Sequence, residues 1–170
     1  DFPWDVLAPY AVIAKRYPDG FIDLSQGTPV DSTPKIIQEA LSAASNSPSY
    51  PLTAGSEKLI AAIKEFAVKN LKVTGDFDVL PTIGSKELVA LLPTLLQSKK
   101  VFYPKVAYPT YLVGALIAGA QAIAVDASAQ DWGSADLAWI NSPSNPTGEV
   151  LTDEQVLQVI NWRRKNNSVV

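Results

Sequence analysis

The side chains whose type and spacing could do chemistry sit in a few short turns. The run Asn141-Ser142-Pro143-Ser144-Asn145-Pro146-Thr147-Gly148 follows an apolar stretch and precedes a helix signal. Its two prolines fix the backbone and Gly148 relieves it, so Asn145 is left as a short amide in a set place. Such an amide can donate to a ligand oxygen. It can equally satisfy its own backbone in a rigid loop, and the residues alone favour that second reading. Gly84-Ser85-Lys86 lies between a strand-like run and a helix start. Free N–H groups and the positive end of the helix dipole make such a turn a natural phosphate site, although ordinary connections use the same residues. Tyr108, in Ala107-Tyr108-Pro109-Thr110-Tyr111, can stack on a planar ligand or simply fill the rim of a core. Tyr50, in Ser49-Tyr50-Pro51-Leu52-Thr53-Ala54-Gly55, is undistinguished when read alone.

Absences narrow the chemistry. The 170 residues include no histidine and no cysteine. Ser-His-Asp and Cys-His catalytic groups, disulfides and thiolate chemistry are therefore excluded, and no zinc site is expected. An enzyme made from this chain must work through lysine, tyrosine, carboxylates or a cofactor. The net charge of −3 and the pI near 4.9 carry no electrostatic footprint for nucleic acid or an anionic membrane. No apolar run approaches the roughly 20 residues of a membrane span and no signal peptide is visible, which fits a cytoplasmic location. Apolar residues at 47 % and charged ones at 18 % argue for an ordered core. The chain begins at Asp1 and contains no methionine, so an upstream segment is expected; a processed or trimmed terminus would account for it.

The elements that must position these turns alternate. Pro3, Pro9, Pro18 and Pro29 predict an irregular arm over the first thirty residues. Thr33-Pro34 starts a helix carrying Ile36, Ile37, Ala40, Leu41 and Ala44 at helical spacing. Ser56 caps a second helix with Leu59, Ile60, Ile63, Phe66 and Ala67 on its stripe. Residues 79–83 read as a buried strand, and a leucine-rich helix opens at Gly84 with Pro93 predicting a kink or an early break. Strands are then expected at 101–103, 121–125 and 137–141, with a helix over 108–118 closed by Gly119. Thr152 starts a last helix, and residues 168–170 read as the first residues of a fifth strand. Trp132, Trp139 and Trp162 fill core or rim, and Arg163-Arg164 lie on a solvated face. The alternation predicts an α/β fold with a mostly parallel sheet flanked by helices, in which ligands sit at the carboxyl ends of the strands.

Taken together and in order, these residues resemble the class I/II aminotransferases, the aspartate-aminotransferase-like branch of the fold-type I enzymes that depend on pyridoxal 5'-phosphate (PLP). The resemblance runs through Leu24-Ser25-Gln26-Gly27-Thr28-Pro29, Tyr50-Pro51-Leu52-Thr53-Ala54-Gly55, Gly84-Ser85-Lys86-Glu87 and Tyr108-Pro109-Thr110-Tyr111 to the run at 141–148. The last run is specific to the family; the others gain weight from their order. The resemblance implies a truncated PLP-dependent transferase fold, with residues 1–49 as an N-terminal arm and part of a small domain and 50–170 as the first part of the large PLP-binding domain. It also implies roles. The main-chain N–H groups of Ser85 and Lys86 hold the cofactor phosphate, Tyr108 stacks on the pyridine ring, and Asn145 hydrogen-bonds the phenolic oxygen. The bond before Pro146 is often cis in the family. Tyr50 reaches the phosphate of the neighbouring subunit, implying a homodimer with shared sites, and Gly27 lines the substrate carboxylate pocket.

Asp1-Phe2-Pro3-Trp4-Asp5, Gly27-Thr28-Pro29-Val30-Asp31 and Pro81-Thr82-Ile83-Gly84-Ser85-Lys86-Glu87-Leu88 further resemble the actinobacterial succinyldiaminopimelate aminotransferases. That implies amino transfer between glutamate/2-oxoglutarate and N-succinyl-2-amino-6-oxopimelate in lysine biosynthesis. An aspartate or aromatic aminotransferase is the alternative, as is a non-catalytic fragment that pairs with a partner chain. A dinucleotide binder is disfavoured, because no G-x-G-x-x-G follows a strand. In the family the Schiff-base lysine, the aspartate beside the pyridinium nitrogen, a nearby tyrosine and two arginines come later than position 170. None of the lysines here, Lys86 included, has the matching context, so no catalytic residue is expected in this chain and by itself it is expected to be inactive. Exposed apolar sheet faces and an unpaired edge are expected as well. The spacer Gln97-Ser98-Lys99-Lys100 is also shorter than the family's usual Gly-rich connection.

Overall fold

A computed structural model describes residues 3–25, 27, 29–127, 129 and 132–170, without the side chains of Pro3 and Trp4. Asp1, Phe2, Gln26 and Thr28, which carry part of the resemblance, lie outside the described residues. The chain divides into two compact units, Asp1–Pro81 and Thr82–Val170.

The first unit holds α1 (Pro3–Ala14), α2 (Lys35–Ala43) and α3 (Glu57–Asn70). Helix α1 corrects the expectation of an irregular start. Pro3 occupies the first helical position, where a missing N–H costs nothing, and Pro9 removes one internal bond without ending the helix. Pro34 sits at the cap of α2, one position ahead of the first helical residue, and Gln38 Nε2 donates to the Thr33 carbonyl at 2.6 Å. Ser56 caps α3 as expected, its hydroxyl accepting from Leu59 N at 3.2 Å. Among the described residues of this unit only Ala67 is buried.

The second unit runs α4 (Ser85–Leu95), β1 (Lys100–Pro104), α5 (Thr110–Ile117), β2 (Gln121–Val125), β3 (Leu137–Ala138) and α6 (Asp153–Asn166). The strands form a parallel sheet in the order β2-β1-β3, with Lys100 opposite Gln121 and Val101 opposite Leu137. Val169 adds a single parallel bridge to Leu137. One core cluster centres on Phe102, Ala138, Val159 and Trp162, the other on Val101, Ala115, Ala120 and Leu137. The rings of Phe102, Trp132 and Trp162 pack with centroids 5.2 to 5.8 Å apart, in the core and rim positions expected for the tryptophans.

Residues 79–83 are not a strand. No ladder partner reaches them among the described residues, Pro81 has no N–H to offer, and Leu80 and Ile83 are 69 % and 106 % exposed. Apolar content alone predicts a strand here, but a strand needs a neighbour. Strand β3 is likewise shorter than the expected 137–141, although Trp139 N still donates to Phe102 O at 2.9 Å. Helix α4 shows no early break: it continues two residues past Pro93. Pro93 cannot donate to the Val89 carbonyl, and α5 crosses there. A Cβ added at Gly114 would stand 2.9 Å from the carbonyl oxygens of Val89 and Ala90, so only glycine permits this approach.

The short connection from α4 to β1 closes with its own device. Gln97 N donates to Thr94 O at 3.0 Å and Ser98 N to Pro93 O at 2.9 Å, with Gln97 at φ 52°. This is the paired-bond helix stop usually built on glycine. Among the described residues, no helix is long and apolar enough to cross a membrane.

Candidate functional site

Because β1 and β3 are parallel neighbours, the segments leaving their carboxyl ends start side by side. Tyr108 follows β1 and Asn145 follows β3. Helix α4 enters β1 from its amino end through the residues 96–99, and its 11 residues span about 16 Å, roughly the length of a five-residue strand. Ser85 and Lys86 form the N-terminus of α4, and α4 packs against α5, the helix that follows Tyr108.

Each contribution has a local cause. Gly84 is the N-cap of α4 and no side chain caps that helix. By contrast, α6 starts with a full capping box in which Thr152 Oγ1 accepts from Gln155 N at 3.2 Å and Gln155 Oε1 accepts from Thr152 N at 2.9 Å. The sequence thus closes one helix start with a full capping box and gives the other no side-chain cap, with the Glu87 carboxylate close to Gly84. Ser85 and Lys86 are both exposed.

Tyr108 is half-buried and meets the Tyr111 ring edge-on at 6.2 Å and 88°. Tyr111 in turn stacks on Trp139 at 5.2 Å. Burial, and secondarily the neighbouring Tyr108, pushes the Tyr111 phenol up from its usual range, so it stays neutral. A chain of aromatic rings therefore backs Tyr108.

The loop after β3 is tied at several points. Asn141 Oδ1 accepts from Asn145 N at 2.7 Å, and Ser142 Oγ accepts from Leu151 N at 3.0 Å. Ser144 N donates to Glu149 O at 2.8 Å and Gly148 N to Ser144 O at 2.7 Å. The bonds before Pro143 and Pro146 are both cis. The side chains that satisfy this backbone are thus Asn141, Ser142 and Thr147, not Asn145. The Asn145 amide is exposed and makes no side-chain hydrogen bond among the described residues. Its alternative role, satisfying its own backbone, is not what the structure shows. Composition and spacing gave Asn141 no role, since it read as the end of a strand; an Asn four positions ahead of a proline-flanked amide is the signal that could have found it.

A cleft of about 200 Å³ opens at the same edge between Val125, Trp132, Trp139, Asn141, Ser144 and Thr147. It shares the β3 loop but is not lined by Tyr108 or Asn145. Its rim carries the ion pair of Lys105 and Asp126 at 2.7 Å.

Gly27 and Tyr50 belong to the first unit, and both are exposed, Tyr50 at 99 %. Just before Gly27, Asp23 Oδ1 accepts from Ser25 N at 2.9 Å and Ser25 Oγ at 2.6 Å. The Ser25 hydroxyl, then its N–H, holds the Asp23 carboxyl below its ordinary value. The second unit holds a helix N-terminus without a side-chain cap, a supported aromatic and an Asn145 amide with no side-chain hydrogen bond. That donor set fits a planar ligand bearing a phosphate and an oxyanion.

Residues 19–170 match the family described as aminotransferase class I and II. "Probable aminotransferase Rv1178" of Mycobacterium tuberculosis is 45 % identical across 99 % of the chain. The 4-dedimethylamino-4-oxo-anhydrotetracycline transaminase OxyQ of Streptomyces rimosus is 42 % identical across 100 %. The chain spans 42 % and 49 % of the lengths of these relatives. The solved N-succinyldiaminopimelate aminotransferase of Mycobacterium tuberculosis is 28 % identical, with a TM-score of 0.75 over 96 % of this chain and 48 % of that one. The fold is accordingly the aspartate-aminotransferase-like fold of PLP-dependent transferases. The chain belongs to the class I and II aminotransferases, a family of PLP-dependent enzymes.

Proposed function

We propose that residues 82–170 form part of a PLP cradle in a full-length aminotransferase. The observation that carries this reading is the Asn145 amide, which the loop presents at the carboxyl edge with its own hydrogen-bonding capacity unused. In this reading the N–H groups of Ser85 and Lys86 hold the phosphate, Tyr108 supports the ring face, and Asn145 donates to the phenolic oxygen. When bound, PLP supplies the electron sink through which an amino group passes between an amino acid and a 2-oxo acid. The donation from Asn145 favours the deprotonated oxygen. Gly27 lines the substrate carboxylate pocket, and Tyr50, whose ring is almost wholly exposed, reaches the phosphate of a second subunit in a homodimer. Residues 1–49 then act as an arm and part of a small domain, 50–170 open the large domain, and the enzyme works in the cytoplasm. None of the lysines in this chain takes the covalent role. The isolated chain should therefore yield no stoichiometric adduct when mixed with PLP and reduced with borohydride; a specific adduct would overturn this.

The proposed reaction exchanges an amino group between glutamate and N-succinyl-2-amino-6-oxopimelate. The sequence likeness described above and the 28 % identical N-succinyldiaminopimelate aminotransferase support it. The 42 % identity to OxyQ favours a second reading, amino transfer to a bulky polycyclic ketone. Assaying the full-length protein with glutamate against the succinylated oxo acid, oxaloacetate, an aromatic 2-oxo acid and a polycyclic ketone separates them. Preference for the succinylated acceptor by kcat/KM supports the first reading, and preference for any other removes it.

A further inference from the structure

The geometry points to Asn141 as a positioning residue that acts through Asn145, an assignment that rests on the PLP reading above. Pro143 and Pro146 carry no N–H, so between residues 143 and 146 only Ser144 and Asn145 can donate from the backbone. Both donors are engaged. Ser144 N is held by the Glu149 carbonyl, within the loop itself. Asn145 N is held at 2.7 Å by the side chain of Asn141, the third residue past the end of β3. Ser142 Oγ, which accepts from Leu151 N, ties the loop at its far end, and the Asn141 bond is the one that fixes the Asn145 backbone itself. Asn141 is half-buried while Asn145 is exposed, so the packed residue anchors the working one. The short amide stem suits this. Alanine has no acceptor, whereas aspartate presents an oxygen at the same reach.

Two measurements test the assignment. In the 170-residue chain, Asn141→Ala should lower hydrogen-exchange protection of the Asn145 amide about tenfold, the loss expected for one hydrogen bond. Asn141→Asp should restore it. In the full-length protein with PLP bound, Asn141→Ala should move the pH midpoint of the cofactor's visible absorbance in the same direction as Asn145→Ala, by a smaller amount. Added to Asn145→Ala, it should move the midpoint no further. Unchanged exchange protection in Asn141→Ala overturns the tie, and equal shifts in both backgrounds overturn action through Asn145. A full-length wild-type protein that takes up no PLP sinks the cofactor reading instead, and the exchange experiment still decides whether Asn141 holds that amide.

Discussion

The two units of this chain treat their apolar side chains in opposite ways. Residues 82–170 bury Val101, Phe102, Leu137, Val159 and Trp162 around a three-stranded parallel sheet. Residues 1–81 form three helices with sound local signals, yet Ile36 and Leu41 stand largely exposed and Ala67 alone is buried among the described residues. Capping and periodicity suffice to shape a helix; fixing a site to within a hydrogen-bond length takes burial. The contacts that support Tyr108 and tie Asn145 all lie within the buried unit.

That contrast can be broken most directly by truncation. Leu137→Ala removes a side chain with no exposure from the core cluster of Val101, Ala115 and Ala120 and should cost about 3 kcal/mol in urea unfolding. Ile36→Ala, at a position 76 % exposed, should cost less than about 0.5 kcal/mol. Comparable losses at the two positions would show that the first unit has a core after all. Next in size, Gly114→Ala forces a methyl against the backbone oxygens of Val89 and Ala90 and should cost about 2 kcal/mol, read as a lowered thermal midpoint.

A smaller effect sits at the amino edge of the sheet. Asp136 Oδ2 accepts from Lys99 N at 2.7 Å and Lys100 N at 2.9 Å, pinning the start of β1 beside β3. The Lys100 N–H, then the Lys99 N–H, holds the carboxyl below its ordinary 3.8. Its folded value lies below its unfolded one, so the stability it contributes is present above about pH 4 and lost as pH falls through the folded value. Asp136→Asn should cost about 1 kcal/mol at neutral pH and flatten the acid limb of a stability-against-pH curve. An unchanged acid limb would remove Asp136 from the account.

Much of the buried unit was legible in the sequence. Strand β2 occupies the expected residues 121–125 and Thr152 caps the helix it announces, as Ser56 does in the first unit. What escaped was non-local. Residues 79–83 have the composition of a strand, but no neighbour pairs with them. Pro3 and Pro9 read as breakers, although one sits where a helix tolerates proline and the other removes only one bond. Asn145 stood out from its flanking prolines, whereas the bond from Asn141 appears only when the loop is folded.

The central claim is that the buried unit presents Asn145 to the phenolic oxygen of PLP. Its most direct test is the pH titration of visible absorbance in the full-length protein with PLP bound, wild type against Asn145→Ala. Loss of a donor to the deprotonated oxygen should raise the midpoint by about one unit. A midpoint that does not move, in a variant that still binds PLP, would contradict the claim.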